Sequence, residues 1–292
     1  MRICLVRILF DTLCFRLFRS LLQPLQSLQF IPTETIRCSA FIFFAYLCSM
    51  KRYGLIGKTL RHSWSQQWFS RMFAREGITN AEYTLYELPS VDGLKQWMLQ
   101  KGINGLNVTI PYKEAVLPLL DRLDNEAQSI GAVNCIKVVD GQLEGYNTDA
   151  PAFAHSLHPL LQSWHSRALV LGTGGASKAV THALHGLGID CTLVSRHPEL
   201  HPGAVSYTQA ESLAAQCLLI VNTTPAGMFP LTDASPWTNF EVITPRHLCY
   251  DLIYNPAETL FMQQAKAHGA QTIGGLDMLH RQAALSWDIW QK

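Results

Sequence analysis

From Gly105 the chain alternates. Leu106, Val108 and Ile110 are apolar, Asn107 and Thr109 are polar, and the pattern stops at Pro111. A period of two describes a strand that carries Asn107 and Thr109 on one face. Proline cannot continue a ladder and suits the first turn of a helix. Lys113 is therefore expected just past the carboxyl end of the strand, where open α/β sheets place ligands. By itself that lysine reads as a surface cation, and the pattern elsewhere changes its setting.

Upstream, 53–57 reads as a short buried strand between glycines, 66–76 as an amphipathic helix, 82–88 as an alternating strand and 91–101 as a helix. Ser63 and Ser65 precede the first helix and are expected to cap it, at an end whose free N–H groups favour an anion such as a carboxylate. Downstream the pattern predicts a helix over 114–128, strands at 135–139 and 143–146, and a hairpin turn at Asp140-Gly141. These elements form a first α/β domain over 50–150. A helix over 150–161 leads into strands at 168–171, 190–194, 218–222, 248–253 and 271–273, with helices at 178–187, 258–268 and 276–290.

The strand at 168–171 runs straight into Gly172-Thr173-Gly174-Gly175-Ala176-Ser177 and a helix. Glycines let a backbone approach a pyrophosphate, which then sits on the helix N-terminus. In a strand–turn–helix–strand unit of about 30 residues this is a strong dinucleotide signal. It is a partial match, because Ser177 stands where the third glycine of the common fingerprint would be. The next strand ends at Ser195-Arg196-His197. A site for NAD usually has an acid there, whereas an arginine suits a 2′-phosphate. The pattern points to NADP.

Composition narrows the class. Hydrophobic residues make up 48% of the 292 and charged ones 15%, as in a folded core, and a net charge of +1 provides no basic field for nucleic acid. The eight cysteines include no CxxC pair, which argues for reduced thiols in a cytoplasmic protein and against a metal site or a disulfide framework. His182 and His185 fall at i, i+3 and read as residues of a helix face. The first 49 residues differ from the rest: they contain no Gly, Lys or Trp and carry five Arg (2, 7, 16, 19 and 37) against Asp11 and Glu34. Their best apolar run, 40–50, is too short for the ~20 residues of a membrane span. Met50-Lys51-Arg52-Tyr53-Gly54 looks like a natural start. We expect 1–49 to be an extension that is disordered or not native, with a transit or membrane-associating segment as the alternative.

Read together, 51–292 resembles the shikimate dehydrogenases. The resemblance rests on Gly-Leu-Ile-Gly with His62-Ser63-x-Ser65, Asn107-Val-Thr-x-Pro-x-Lys113, Gly131-Ala-Val-Asn134, and Asn147-Thr-Asp149. It continues through Gly172-x-Gly-Gly-Ala-Ser177, Asn222-Thr-Thr-Pro-x-Gly-Met228, Asp251-x-x-Tyr254-Asn-Pro, and Gly275-x-x-Met278-Leu with Gln282. Eight blocks in family order are far more specific than any one of them. The resemblance implies reversible NADPH-dependent reduction of 3-dehydroshikimate to shikimate, on the route to chorismate and the aromatic amino acids. It also implies an α/β substrate-binding domain (50–150), a Rossmann-like NADP-binding domain (151–275), a cleft between them, and a last helix (276–292) that returns to the first domain. By family motif Lys113 and Asp149 are the catalytic pair, and Ser63, Ser65, Thr109, Asn134, Tyr254 and Gln282 bind substrate. Gly172, Thr173, Gly174, Gly175, Ala176, Ser177, Ser195, Arg196, His197, Thr223, Leu252 and Gly275 bind the cofactor.

Some positions depart from the family pattern. Thr59 and Gln66 stand where prolines are common, Phe69-Ser70 where His-Asn is, Asn125 where an acid often is, and Ser-Arg-His where Asn-Arg-Thr is. Two other readings stay open: a quinate/shikimate dehydrogenase using NAD, and an NADP-sensing module without turnover. The partner expected is a small-molecule substrate, with no nucleic acid and no membrane. The number of subunits is open, a homodimer included.

Overall fold

The computed structural model describes residues 50–60 and 63–292. The expectations for 1–49, and His62 of the first motif, lie outside the described residues.

In chain order the first elements are β1 (Lys51–Gly57), α1 (Ser65–Glu76), β2 (Ala81–Glu87), α2 (Leu94–Lys101), β3 (Ile103–Val108), α3 (Tyr112–Ala115), β4 (Arg122–Leu123), α4 (Asn125–Ile130), β5 (Cys135–Val139) and β6 (Gln142–Tyr146). Their strands form one sheet in the order β2-β1-β3-β5-β6-β4. β1 pairs in parallel with β2 and β3, and β5 runs antiparallel to both β3 and β6. The β5–β6 turn has positive φ at Asp140 (51°) and Gly141 (77°), the geometry a two-residue hairpin needs.

Two expectations fail in this block. The strand of Lys113 runs over Ile103–Val108, so Thr109 and Ile110 lie beyond its end and the Ile110–Pro111 peptide is cis. The helix expected over 114–128 does not exist as one piece. Pro118 has no N–H to continue a helix, and the chain turns extended at Leu120 (ψ 141°) to pair Arg122 and Leu123 with β6. A new helix then starts at Asp124, whose carboxylate accepts from the Ala127 N–H at 2.8 Å.

The second set is α5 (Asp149–Leu157), β7 (Arg167–Leu171), α6 (Gly175–Gly186), β8 (Asp190–Val194), α7 (Tyr207–Leu213), β9 (Leu219–Asn222), β10 (Leu248–Asp251), α8 (Leu260–Ala267), β11 (Gln271–Gly274) and α9 (Leu276–Gln291). Its strands form an all-parallel sheet, β11-β10-β9-β7-β8. Alternate residues feed two layers. Ala168, Val170, Val221 and Tyr250 pack with α5 and α6, while Leu169, Leu171, Ile220 and Cys249 pack with α7 and α8. Burial on both faces explains why these strands read as continuous apolar runs rather than alternating ones. α7 has no counterpart in the sequence reading. Its local signal is a capping box, Ser206 with Gln209.

α9 joins the two sheets. Met278 near its start is buried with the second sheet's core, and Trp290 near its end stacks on Tyr53 of β1 at 4.6 Å. The Trp290 indole N–H donates to the Ile136 carbonyl at 3.0 Å. Gly105 makes this possible: a Cβ there would stand 2.3 Å from the Trp290 ring nitrogen.

Candidate active site

Two elements far apart in sequence bring the central pair together. Lys113 lies in α3 just past β3, and its carbonyl accepts from the Val133 N–H at 2.8 Å. Asp149 opens α5, where the Asn147 side chain accepts from the N–H groups of Asp149 (3.0 Å) and Ala150 (3.1 Å). The Lys113 ammonium donates to the Asp149 carboxylate at 2.7 Å. The two side chains are 15% and 8% exposed, so water screens the pair little.

A buried polar network lies beside it. Asn134 donates to Thr148 Oγ1 at 2.9 Å and accepts from the Thr148 N–H at 2.7 Å. Asn107 donates to Ser286 of α9 at 2.7 Å and accepts from the Tyr83 hydroxyl at 2.9 Å. Ser286 and Thr148 face each other at 3.3 Å. The network links the last helix to the residue before Asp149. Thr148 and Ser286 were not singled out from sequence. The one available signal for Ser286 is its place one helical turn after Gln282, on the face that carries the buried Met278, Ala283 and Trp290.

Ser63 and Ser65 lie together at the start of α1, but not as its caps. Trp64 is the N-cap residue and makes no side-chain cap bond; the Ser63 hydroxyl accepts from the Ser65 N–H at 3.3 Å. Ser65 itself is buried, 7% exposed. Burial raises the Tyr83 hydroxyl well above its ordinary range. Thr109 sits at the β1 carboxyl end, its N–H donating to the Ile56 carbonyl at 3.0 Å, where Gly57 leaves room for its methyl. Gln282 donates to the Leu279 carbonyl of its own helix at 2.9 Å. Tyr254 follows β10, and its ring meets Trp64 edge-on at 6.0 Å.

The carboxyl edge of the second sheet faces this block. Gly172 has φ 108°, and a Cβ there would meet Thr223 Oγ1 at 2.8 Å. The Thr223 hydroxyl donates to the Leu171 carbonyl at 2.6 Å. Gly174 is the N-cap of the 12-residue α6 and makes no side-chain cap bond, and a Cβ on it would meet nothing within 4 Å. The chain is thus open at Gly174, at the N-terminus of α6, the kind of place where a helix end can receive a pyrophosphate. A Cβ on Gly175 would come within 3.0 Å of Lys113 Cβ, so the glycine turn and the lysine are neighbours. Lys178 and Glu114 pair at 2.6 Å across the same junction. Ala176 and Ser177 complete the turn, the Ser177 hydroxyl donating to the Gly174 carbonyl at 2.6 Å.

At the end of β8, Ser195 is buried and accepts from the His197 N–H at 3.0 Å. Arg196 is exposed, and His197 pairs with Glu199 at 3.3 Å. His201, not singled out from sequence, lies 3.1 Å from the Thr173 hydroxyl.

Leu252 and Gly275 meet at the β10–β11 edge, where the Gly275 N–H donates to the Ile253 carbonyl at 3.0 Å. Asp251 anchors that turn. It accepts from Asn222, from the Ile253 N–H and from the Thr259 hydroxyl, at 3.0, 3.0 and 2.6 Å. Burial raises its carboxyl to about 6. Between its unfolded value near 4 and 6 the folded chain holds a proton that the unfolded chain has released, so stability falls as pH rises through that window. The slope contributed is at most ~1.4 kcal/mol per pH unit. Denaturant unfolding at pH 4 and pH 7 should show this fall in the wild type and a shallower one in Asp251→Asn. Equal slopes would refute the assignment.

A parallel sheet with an uncapped glycine turn at its carboxyl edge, facing a lysine–carboxylate pair, defines an α/β protein of the dinucleotide-binding class. A family model described as the shikimate dehydrogenase substrate binding domain matches residues 55–136. A shikimate dehydrogenase (NADP(+)) of Carboxydothermus hydrogenoformans is 37% identical over 256 residues, covering 81% of this chain and 90% of that protein. Among solved structures, shikimate dehydrogenase 1 of Peptoclostridium difficile superposes with a TM-score of 0.75 at 34% identity, covering 83% of this chain and 92% of that one. Shikimate 5-dehydrogenase of Thermus thermophilus, in complex with NADP(H) and shikimate, gives 0.72 at 34% identity, covering 82% and 93%. The chain belongs to the shikimate dehydrogenase family. Among its described residues no helix is long and apolar enough to cross a membrane.

Proposed function

We propose that this protein is an NADP-dependent oxidoreductase that interconverts 3-dehydroshikimate and shikimate. The observation that carries the reading is the contact between Gly175 and Lys113, with the Lys113–Asp149 pair at 2.7 Å. It sets a dinucleotide-type turn beside a proton-bearing cation. In this reading 50–150 holds substrate, 151–275 holds cofactor, and 276–292 returns to the substrate side.

The cofactor, when bound, supplies the hydride. The residues of the chain supply position and a proton. Lys113 faces the ketone oxygen, stabilises the negative charge that develops there and donates the proton that makes the hydroxyl. Asp149 holds the ammonium in place and accepts from a substrate hydroxyl. Ser63 and Ser65 take the carboxylate, and Thr109, Asn134, Tyr254 and Gln282 fix the ring. The α6 N-terminus and residues 172–177 take the pyrophosphate, Arg196 and His197 the 2′-phosphate, and Thr223, Leu252 and Gly275 the nicotinamide side. The cysteines of the described residues are free, as suits a cytoplasmic enzyme.

An assay of the full chain with shikimate and NADP⁺, following NADPH formation by absorbance, tests the activity. No turnover with shikimate and either cofactor would overturn the reading. Arg196→Ala tests the cofactor choice. Losing a charge-assisted contact should weaken NADPH roughly 10- to 100-fold and leave NADH nearly unchanged. Fluorescence titration reads both dissociation constants, and equal losses would refute a 2′-phosphate role.

A further inference from the structure

Trp64 stands between the two serines and joins the two halves of the site. Its indole meets the Tyr254 ring edge-on at 6.0 Å with an interplanar angle of 62°. The serine turn precedes α1 beside the first sheet, whereas Tyr254 follows β10 of the second, so the contact closes one end of the site. The indole is 40% exposed, with an edge held by tyrosine and surface left for a ligand.

We propose that Trp64 is a specificity-determining residue, an indole roof over the carboxylate end of the substrate site. The proposal rests on the reading above, in which Ser63 and Ser65 take the carboxylate. A roof fixed against Tyr254 admits a ring whose carboxylate-bearing carbon is planar, as in shikimate. Quinate has a tetrahedral carbon there, with an extra hydroxyl beside the carboxylate. That hydroxyl would meet an apolar indole. The neighbouring Tyr83 hydroxyl already donates its proton to Asn107. A buried hydroxyl without a partner lowers affinity by about 10- to 100-fold.

Full-chain Trp64→Ala and Trp64→Phe, assayed with NADP⁺ against shikimate and quinate, test this. For Trp64→Ala, KM for shikimate should rise about tenfold while kcat changes little, since the roof binds the ligand in its ground and transition states alike. The ratio of kcat/KM for shikimate over quinate should fall at least about tenfold. Trp64→Phe keeps an aromatic edge for Tyr254 and should recover most of both values. NADPH titration reads whether the fold survives, and its dissociation constant should stay within about twofold of wild type for a residue outside the cofactor side. An unchanged substrate ratio in an active Trp64→Ala protein would overturn the role of Trp64 alone. Loss of NADPH binding together with kcat in both variants would also overturn it, as a merely structural residue. Absence of turnover in the wild type would instead overturn the activity itself.

Discussion

Lys113→Ala should lower kcat by about 10²-fold or more with little change in KM, the range that general acid–base groups supply. The reason is geometric. Lys113 lies 2.7 Å from Asp149 and beside the glycine turn at Gly175, where the proposed mechanism places the reacting oxygen. In the proposed mechanism its removal takes away a contact that strengthens only as charge develops on the reacting oxygen, so kcat and kcat/KM are expected to fall together. A structural effect has to be separated. Asp149 is 8% exposed, and the alanine leaves its carboxylate without a cation, which destabilises by about 3–5 kcal/mol when a pair is fully buried. Thermal melting of Lys113→Ala and of the double variant with Asp149→Asn reads that term. The double variant should recover stability and stay slow. A KM effect without a kcat effect would reduce Lys113 to a binding residue.

Gly275→Ala should be the most damaging single methyl on the cofactor side. Its Cβ would lie 2.0 Å from the Leu252 carbonyl oxygen and 2.5 Å from the Leu252 carbonyl carbon, both backbone atoms that no rotamer change can move. φ at Gly275 is −75°, so the penalty is one of contact and not of backbone conformation. Relief requires the end of β10 to move away from the start of α9. Overpacking of this kind costs about 1–3 kcal/mol or more, and NADPH binding should weaken as Leu252 shifts. Gly174→Ala is the contrasting case. Its Cβ meets nothing within 4 Å, so melting should stay near wild type while NADPH binding falls, because the methyl enters the space in front of α6. Equal melting temperatures for the two variants would contradict the steric account.

Much of this was legible in sequence, for definite reasons. The strands at 135–139, 190–194 and 218–222 stood out through local apolar pattern and their flanking turns. Asp140-Gly141 stood out because only residues tolerant of positive φ suit that hairpin. The glycine turn stood out because a strand runs directly into it. The helix expected over 114–128 misled because its apolar spacing is helical, while Pro118, Asp124 and the pairing of Arg122 with β6 break it into pieces. Pairing with a distant strand leaves no mark in a local window. Ser63 and Ser65 were expected as caps from their place before α1; instead Trp64 takes the N-cap position and Ser65 is buried.

By itself, the sequence determined the two α/β blocks and the strand–glycine turn–helix unit at 168–187, because each depends on periodicity or spacing within about 30 residues. Only the tertiary structure decided which of their residues meet. Lys113 and Asp149, 36 residues apart, become a pair at 2.7 Å. Asn107 finds Ser286 on a helix 179 residues away, and Trp64 finds Tyr254 across the two sheets. Those contacts depend on how the sheets, α5 and α9 pack, and packing is a property of surfaces that come together only in the folded chain.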